Sequence, residues 1–467
     1  MASPFDLTAA WIAEATGGRL LAGAADAVAE GLSIDSRSLE SGALYVAIRG
    51  ERFDGHAFVA AAIARGASGV LISDEAAAPD VSSGVFAIVV PDTLTALQTL
   101  GREIRHRSAA IVVAITGSAG KTTTKELTAA LLDARYDVFR NRGNLNNHIG
   151  LPLSLAELRS GPDVAVVELG MNHKGEISAL VALAEPEIRV WTNVGNAHIG
   201  FFASRDEIAD AKAEILERAR ASDLLVVNAD DEAIMARAAT FQGRVATFGL
   251  AASANVRAVD VTPRGIEGTD ATIETPRGSF DVRIPLVGAG NLLNVLAAVS
   301  VALELDVPID AIAARIAGLA PAARRGEVLR QPNGVTIVDD SYNSSPAALM
   351  QSLAALKATT ATRRAAVLGE MLELGDHAIA LHEECGRAAA EAELGWLVTV
   401  GGAPARAMAS AAVGAGMPSA AVAHVPTADE ASSAAASRVQ PGDVVLIKGS
   451  RGIGVDRVVA HLKAEAA

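Results

Sequence analysis

The sequence predicts an α/β protein in three segments, and three observations carry that expectation. The chain has 467 residues, too many for one ordinary core, so two to four domains are expected. Half of the residues are hydrophobic yet only 3% are aromatic. The core must therefore be built from Ala, Val, Leu and Ile, which suits parallel strands covered by helices. From Ala109 onward, apolar runs of strand length alternate with helical stretches, the pattern of right-handed crossovers and parallel sheets. The boundaries are placed at residues 1–106, 107–319 and 320–467. They give a small N-terminal α/β domain, a central parallel-sheet domain of the P-loop type and a C-terminal Rossmann-like, doubly wound domain.

In the first segment, Asp6–Ala15 reads as a short helix stopped by Gly17-Gly18, and Ala43–Ile48, Gly69–Ser73 and Val85–Val90 as strands. Thr93–His106 reads as a helix whose basic end, Arg102–Arg107, is a candidate hinge. The second segment places strands at Ala109–Thr116, Val164–Leu169, Arg189–Asn193 and Leu224–Asn228, with helices near Lys125–Ala134, Ile177–Leu183 and Asp206–Arg220. Residues 245–285 break the rhythm with Val/Ile/Thr runs and Gly/Pro turns, an antiparallel extension, and Asn291–Leu305 follows as a long Ala/Val/Leu helix. The third segment has strands at Val335–Asp339, Ala365–Leu368, Leu397–Val400 and Val444–Lys448, and its Ala431–Ala436 run reads as helix.

A net charge of −14 argues against a nucleic-acid surface, which needs clustered Lys and Arg. The single cysteine, Cys385, cannot form an intrachain disulfide and suits a reducing compartment. It is expected on a helix beside His382. No apolar run reaches membrane-spanning length, and the N-terminus lacks a basic n-region. The expectation is a soluble, cytoplasmic protein, monomeric, with no nucleic-acid partner and no membrane insertion.

The stretch AAIVVAITGSAGKTTTKE (Ala109–Glu126) leads from a strand through a Gly-rich turn into a helix. Gly117, Ser118, Ala119, Gly120, Lys121, Thr122 and Thr123 have the form of a phosphate cradle. Backbone amides and the positive helix end hold phosphate, Lys121 adds a point charge, and the Thr122 hydroxyl is placed for Mg²⁺. The usual pattern has Gly where this chain has Ile115, so the loop is a shortened one. The bland alternative is a chance Gly-Lys-Thr in an Ala/Gly-rich chain; the flanking strand and helix favour ATP binding.

Ligands sit at the carboxyl ends of strands in such sheets. Glu168 ends one strand and is either an Mg²⁺ ligand or an ordinary loop carboxylate. His198 follows the next strand, in TNVGNAHIGFF, and is either structural or part of a site. Lys212 lies in the apolar stripe Ile208, Ile215, Ala219 of the following helix. It either snorkels outward or is a buried amine with a depressed pKa, able to add CO₂ and become an anionic carbamate that ligates a second Mg²⁺. In the third segment, Asp340 within DDSYNSSP and the acidic turn LGEMLELG (Leu368–Gly375) are either ligand contacts or solvated turns. Arg325, after Arg324, is either a linker residue or a guanidinium that a mobile domain brings to ATP phosphates.

As a set these motifs resemble the Mur ligase family, the ATP-dependent amide-bond-forming enzymes of peptidoglycan assembly, over all three segments. The resemblance explains the shortened phosphate loop. It implies UDP binding by Asp35-Ser36-Arg37 with Gly42 and by Asp54-Gly55-His56, and contact with the sugar-peptide by NLNNHIGLP, including Asn144, Asn146 and Asn147. It implies metal ligation by Thr122, Glu168, His198 and carbamylated Lys212, adenine contact at Asn291 and Asn294, and ribose contact at Asp340. It makes Lys121, His198, Lys212 and Arg325 the catalytic set, and gives Tyr342 and Asn343 to the substrate. Gly290 stands where the family often has His, a departure on the adenine side. DDSYNSSP, LGEMLELG and KGSRG (Lys448–Gly452) point to the branch that adds D-alanyl-D-alanine to UDP-N-acetylmuramoyl-tripeptide through an acyl phosphate. The expected products are the UDP-linked pentapeptide, ADP and phosphate. The other readings are a ligase adding a different residue to the same nucleotide-sugar peptide, a folylpolyglutamate synthetase, and a non-catalytic nucleotide-binding regulator.

Overall fold

The computed structural model describes residues 5–50, 53–80 and 84–465. The chain packs into two compact units, Met1–Ala114 with Tyr136–Ile188, and Ile115–Arg135 with Arg189–Ala467.

The first unit contains a five-stranded sheet in the order Arg19–Ala22, Phe86–Val89, Gly69–Ile72, Leu44–Val46, Leu32–Ser33. Its first pair is antiparallel and the others are parallel. Tyr45, Val70, Ile72 and Ala87 fill its core. The N-terminal helix is Ala9–Thr16, capped by the Thr8 hydroxyl and ended by Gly17 in the left-handed conformation. The helix Thr93–Arg107 starts on the Asp92 carboxylate, which accepts from the Thr95 amide at 2.6 Å. Its basic end, expected as a hinge, is bonded within this unit: buried Arg105 donates to the Ala184 and Glu185 carbonyls and pairs with Glu187. The strands Val138–Arg140 and Val164–Glu168 run parallel here, the first of them too short and polar to stand out in the sequence.

The second unit carries the strand Leu224–Asn228, paired in parallel with Arg244–Gly249. The antiparallel extension expected over 245–285 therefore begins one strand later. Val256–Pro263, Thr269–Thr275 and Gly278–Ile284 form it, with a bulge between Val259 and Thr262. The helix Ala289–Glu304 is apolar nearly all round and is buried accordingly, from Asn294 to Leu303 without a break. The helix expected from Asp206 to Arg220 stops at Ala213, becomes a 3₁₀ turn over Glu214–Leu216, and is broken by Arg218 at φ 54°. Ala219 is thus off the helix.

A six-stranded sheet closes the chain in the order Glu327–Arg330, Thr336–Asp340, Asp443–Lys448, Arg363–Gly369, Trp396–Val400, Val422–Val425. All pairs are parallel except the first. Its two edge strands, Glu327–Arg330 and Val422–Val425, are partly exposed and escaped the sequence reading for that reason. Cys385 and His382 are buried on one face of the helix Ala378–Glu391. Burial, helped by Glu384, pushes the Cys385 thiol up to about 12. Among the described residues no helix is long and apolar enough to cross a membrane.

Candidate active site

The strand Ile111–Thr116 delivers the chain into the turn Gly117–Gly120, and the helix Lys121–Leu132 starts immediately, four residues earlier than Lys125. Two glycines make the turn possible. Gly117 (φ 155°) has no room for a side chain because a Cβ would strike the Thr192 hydroxyl. Gly120 (φ 80°) is the left-handed N-cap, and a Cβ there would strike the Asn294 amide. The end of the neighbouring strand, Thr192-Asn193, binds the turn. Asn193 accepts the Ser118 amide on its carbonyl at 3.0 Å and the Ala119 amide on its side chain at 2.9 Å. The Asn193 side-chain amide and the Thr192 hydroxyl donate back to the Ala119 carbonyl at 3.0 and 3.1 Å. The Ser118 hydroxyl exchanges bonds with Gly195. Asn193 was not singled out in the sequence; its signal is a Thr-Asn pair at the end of a strand close to the loop.

Two amines converge on one carbonyl. Lys121 Nζ donates to the Gly117 oxygen at 2.9 Å and Lys212 Nζ to the same oxygen at 3.1 Å. Lys212 is 1% exposed, so it does not snorkel. Burial, then the charge of Lys121, lowers its pKa well below the usual 10.5. His198 sits in the left-handed conformation (φ 65°), with Nδ1 2.6 Å from Glu373 Oε2. Burial and the charges of Lys121 and Lys212 lower the pKa of His198, while Glu373 opposes them. With a carboxylate as acceptor, Nδ1 carries the proton and Nε2 keeps its lone pair.

Thr124 donates to the Asn294 side-chain oxygen at 3.1 Å, and Asn294 donates to Asn291 at 3.1 Å, so the two asparagines lie against the start of the loop helix. Gly290 leaves space that Gln351 takes: a Cβ at 290 would strike its side-chain oxygen. Arg325 Nη2 donates to the Thr122 hydroxyl at 3.0 Å and stacks on the Tyr342 ring at 4.1 Å, with Arg451 at 5.7 Å from the same ring. Arg325 is therefore not a loose linker residue. Asp340 Oδ2 takes Lys448 Nζ at 2.6 Å and the Ser352 hydroxyl at 3.0 Å, and Lys448 also donates to the Asn343 carbonyl. The parallel register Asp340↔Lys448 makes that pairing automatic, though the two motifs are more than a hundred residues apart in sequence.

In the first unit, Glu168 is 3% exposed at its strand end and accepts from Asn146 Nδ2 at 2.8 Å. Asn141 accepts the Glu168 amide and so fixes the same corner. Asn144 accepts the Asn146 amide on its carbonyl, and Asn147 caps the next turn through the Ile149 and Gly150 amides. Arg37 grips Asp35 with its backbone amide and its guanidinium, which lowers the pKa of that carboxyl to about 2; Ser36 lies between them. Asp54, His56 and Ser73 line up as acid, base and hydroxyl, yet His56 Nε2 is occupied by the Ser73 backbone amide at 2.9 Å. That bond makes the triad an orienting device for the turn and not a hydrolase. The amide and ring of His56, with Arg49, lower the pKa of the Asp54 carboxyl to about 2.

A shortened phosphate loop with a buried lysine aimed at it suits an ATP-dependent enzyme of the ligase class, and the chain belongs to the Mur ligase family. Sequence models match it under the descriptions "Mur ligase family, catalytic domain" over 28–131, "Mur ligase middle domain" over 115–302 and "Mur ligase, glutamate ligase domain" over 324–451. Within the family it is 34% identical over 438 residues to the UDP-N-acetylmuramoyl-tripeptide--D-alanyl-D-alanine ligase of Bacillus subtilis (strain 168), covering 93% of both chains. Among solved structures it resembles MurF from Acinetobacter baumannii, with 31% identity, a TM-score of 0.86 and coverage of 99% of this chain and 100% of that one. It likewise resembles MurF ligase from Thermotoga maritima in complex with ADP, with 30% identity, a TM-score of 0.81 and coverage of 93% and 97%.

Proposed function

We propose that this chain adds D-alanyl-D-alanine to UDP-N-acetylmuramoyl-tripeptide at the expense of ATP, giving the UDP-linked pentapeptide, ADP and phosphate. The observation that carries the reading is the convergence of Lys121 and Lys212 on the phosphate loop, in a chain similar to a UDP-N-acetylmuramoyl-tripeptide--D-alanyl-D-alanine ligase over nearly its whole length. Segments 1–106, 107–319 and 320–467 act as the UDP-sugar-binding, ATP-binding and Rossmann-like ligase domains, in a cytoplasmic monomer.

The tripeptide carboxylate attacks the γ-phosphorus of ATP and ADP departs, leaving an acyl phosphate. The dipeptide amine then attacks the acyl carbon, and phosphate leaves from the tetrahedral intermediate as the amide forms and the ammonium proton is lost. Both steps gather anions, so charge neutralisation and positioning supply most of the rate. Lys121 and the amides at the start of the loop helix, including Thr122 and Thr123, take the phosphates; those of Ser118 and Ala119 serve Asn193 instead. Arg325, held over Tyr342, adds a guanidinium beside Thr122. Asn291 and Asn294 flank the adenine, with Gln351 in the room beside Gly290. Asp340 Oδ1 is left for the ribose because Lys448 and Ser352 both bind Oδ2. Tyr342 and Asn343 border the dipeptide. In the first unit, Asp35, Ser36, Arg37 and the Asp54–His56 turn hold the UDP, and Asn144, Asn146 and Asn147 the sugar-peptide.

The donors fit magnesium. Thr122 and Glu168 offer the hard oxygens it prefers, and Lys212 is a buried amine with a lowered pKa, the form that adds CO₂ with loss of a proton. In the second unit Thr122, His198 and a Lys212 carbamate would hold Mg²⁺, which would neutralise phosphate charge, and in the first unit Glu168 is the further oxygen ligand that the family resemblance implies. The deciding experiment is phosphate release from ATP. It should require both UDP-tripeptide and D-Ala-D-Ala; release with either alone, or ATP binding without turnover, would refute the reading.

A further inference from the structure

We propose that Glu373 is a positioning residue for His198, acting through a clasp that joins the turn Leu368–Gly375 to the loop 196–202. The inference rests on the proposed ligation only for its effect on turnover; the clasp itself is a matter of contacts.

The clasp has two parts. The first is the hydrogen bond from His198 Nδ1 to Glu373 Oε2 at 2.6 Å. Both residues are non-glycine and both sit in the left-handed region, at φ 65° and 66°. That conformation is unfavourable for a residue with a side chain, and such strain persists only where the surroundings enforce it. The second part is backbone. The Gly200 amide donates to the Glu373 carbonyl at 3.0 Å. A Cβ on Gly200 would lie 2.7 Å from the Gly375 nitrogen and 2.9 Å from that same carbonyl oxygen. Gly200 has no left-handed φ, so its turn does not demand glycine; the approach of the other chain segment does.

The acidic turn is anchored from behind. Glu370 accepts the Gly402 amide at 2.6 Å, the Met371 amide donates to His382 Nε2 at 2.9 Å, and the Leu372 amide donates to the Ser450 hydroxyl at 3.0 Å. Of the acidic residues in the motif, Glu370 is thus spent as a brace and Glu373 is held out on a rigid arm. A carboxylate that accepts a hydrogen bond from Nδ1–H fixes the imidazole tautomer and ring plane and directs Nε2 at whatever it serves. The arm belongs to the six-stranded-sheet part of the chain and the histidine to the phosphate-loop part. His198 is therefore set only when those two parts are engaged.

The test uses full-length Gly200→Ala, Glu373→Ala, Glu373→Gln and the double variant Gly200→Ala/Glu373→Ala. Hydrogen exchange of the ligand-free proteins reads the clasp directly. Amides in 196–202 should exchange about tenfold or more faster in Gly200→Ala than in the parent, with melting temperature and exchange elsewhere unchanged. In D-Ala-D-Ala-dependent phosphate release, kcat should fall about tenfold or more in Gly200→Ala and Glu373→Ala, and less in Glu373→Gln, which keeps an acceptor oxygen. ATP affinity by calorimetry should stay within about twofold, and the double variant should lose no more than the worse single one. Unchanged exchange in Gly200→Ala, or parental kcat in both alanine variants, overturns the proposal. If the parent protein itself shows no dipeptide-dependent release, the ligase reading fails, and the exchange result alone still decides the clasp.

Discussion

At the residue scale Lys212 concentrates the chemistry. Lys212→Ala should abolish turnover while ATP binding, followed by calorimetry, stays largely intact; full activity would remove the lysine from the mechanism. Its burial also has a stability signature. The folded pKa is lowered, so between that value and the unfolded 10.5 the unfolded chain holds a proton that the folded chain does not. Stability therefore rises with pH across that window and levels off above 10.5. Lys212→Met should melt higher than the parent at pH 7 in CO₂-free buffer, and the gap should narrow by pH 9. The buried pair Arg189–Asp223, 2.7 Å apart, makes the converse case. Arg189→Met strands a buried carboxylate and should cost about 3–5 kcal/mol in urea unfolding.

At the scale of elements, the loop that carries His198 is held by a helix cap. Asp231 starts the helix Glu232–Ala238 by accepting the Ala233 and Ile234 amides, and its other oxygen takes the Val194 amide at 2.8 Å. Asp231→Ala should cost about 1–2 kcal/mol and speed hydrogen exchange around Val194, so one cap disturbs a helix and a site loop together. Long buried strands such as Val164–Glu168 and Leu224–Asn228 were legible in the sequence because an unbroken Val/Leu run has few other homes. The short edge strands were not, since half-exposed pairs carry little pattern. The overrun of the Lys212 helix has a definite cause: Glu214–Ala219 kept the apolar spacing, but Arg218 takes a left-handed backbone that no spacing announces.

For the whole molecule, the site was legible wherever a motif is local. The loop Gly117–Thr122, the strand-end position of Glu168 and the place of His198 in the loop after Ile188–Trp191 follow from sequence order alone. What stayed hidden are partners brought in by topology: Asn193 on the phosphate loop, Lys448 on Asp340, Glu373 on His198 and Gln351 beside Gly290. None has a sequence neighbour to announce it. Because ADP would bind the folded chain and not the unfolded one, a hundredfold excess over the dissociation constant should stabilise the protein by about 2.7 kcal/mol, read as a rise in melting temperature.

The one thiol of the chain, sealed under its helix with a pKa of about 12, has a practical corollary. Maleimides react with thiolates on accessible sulfur, and Cys385 offers neither. The natural protein is thus already a blank background for site-directed probes. A cysteine introduced at exposed Phe201 or Leu372 could carry a spin label or fluorophore without first deleting the native one.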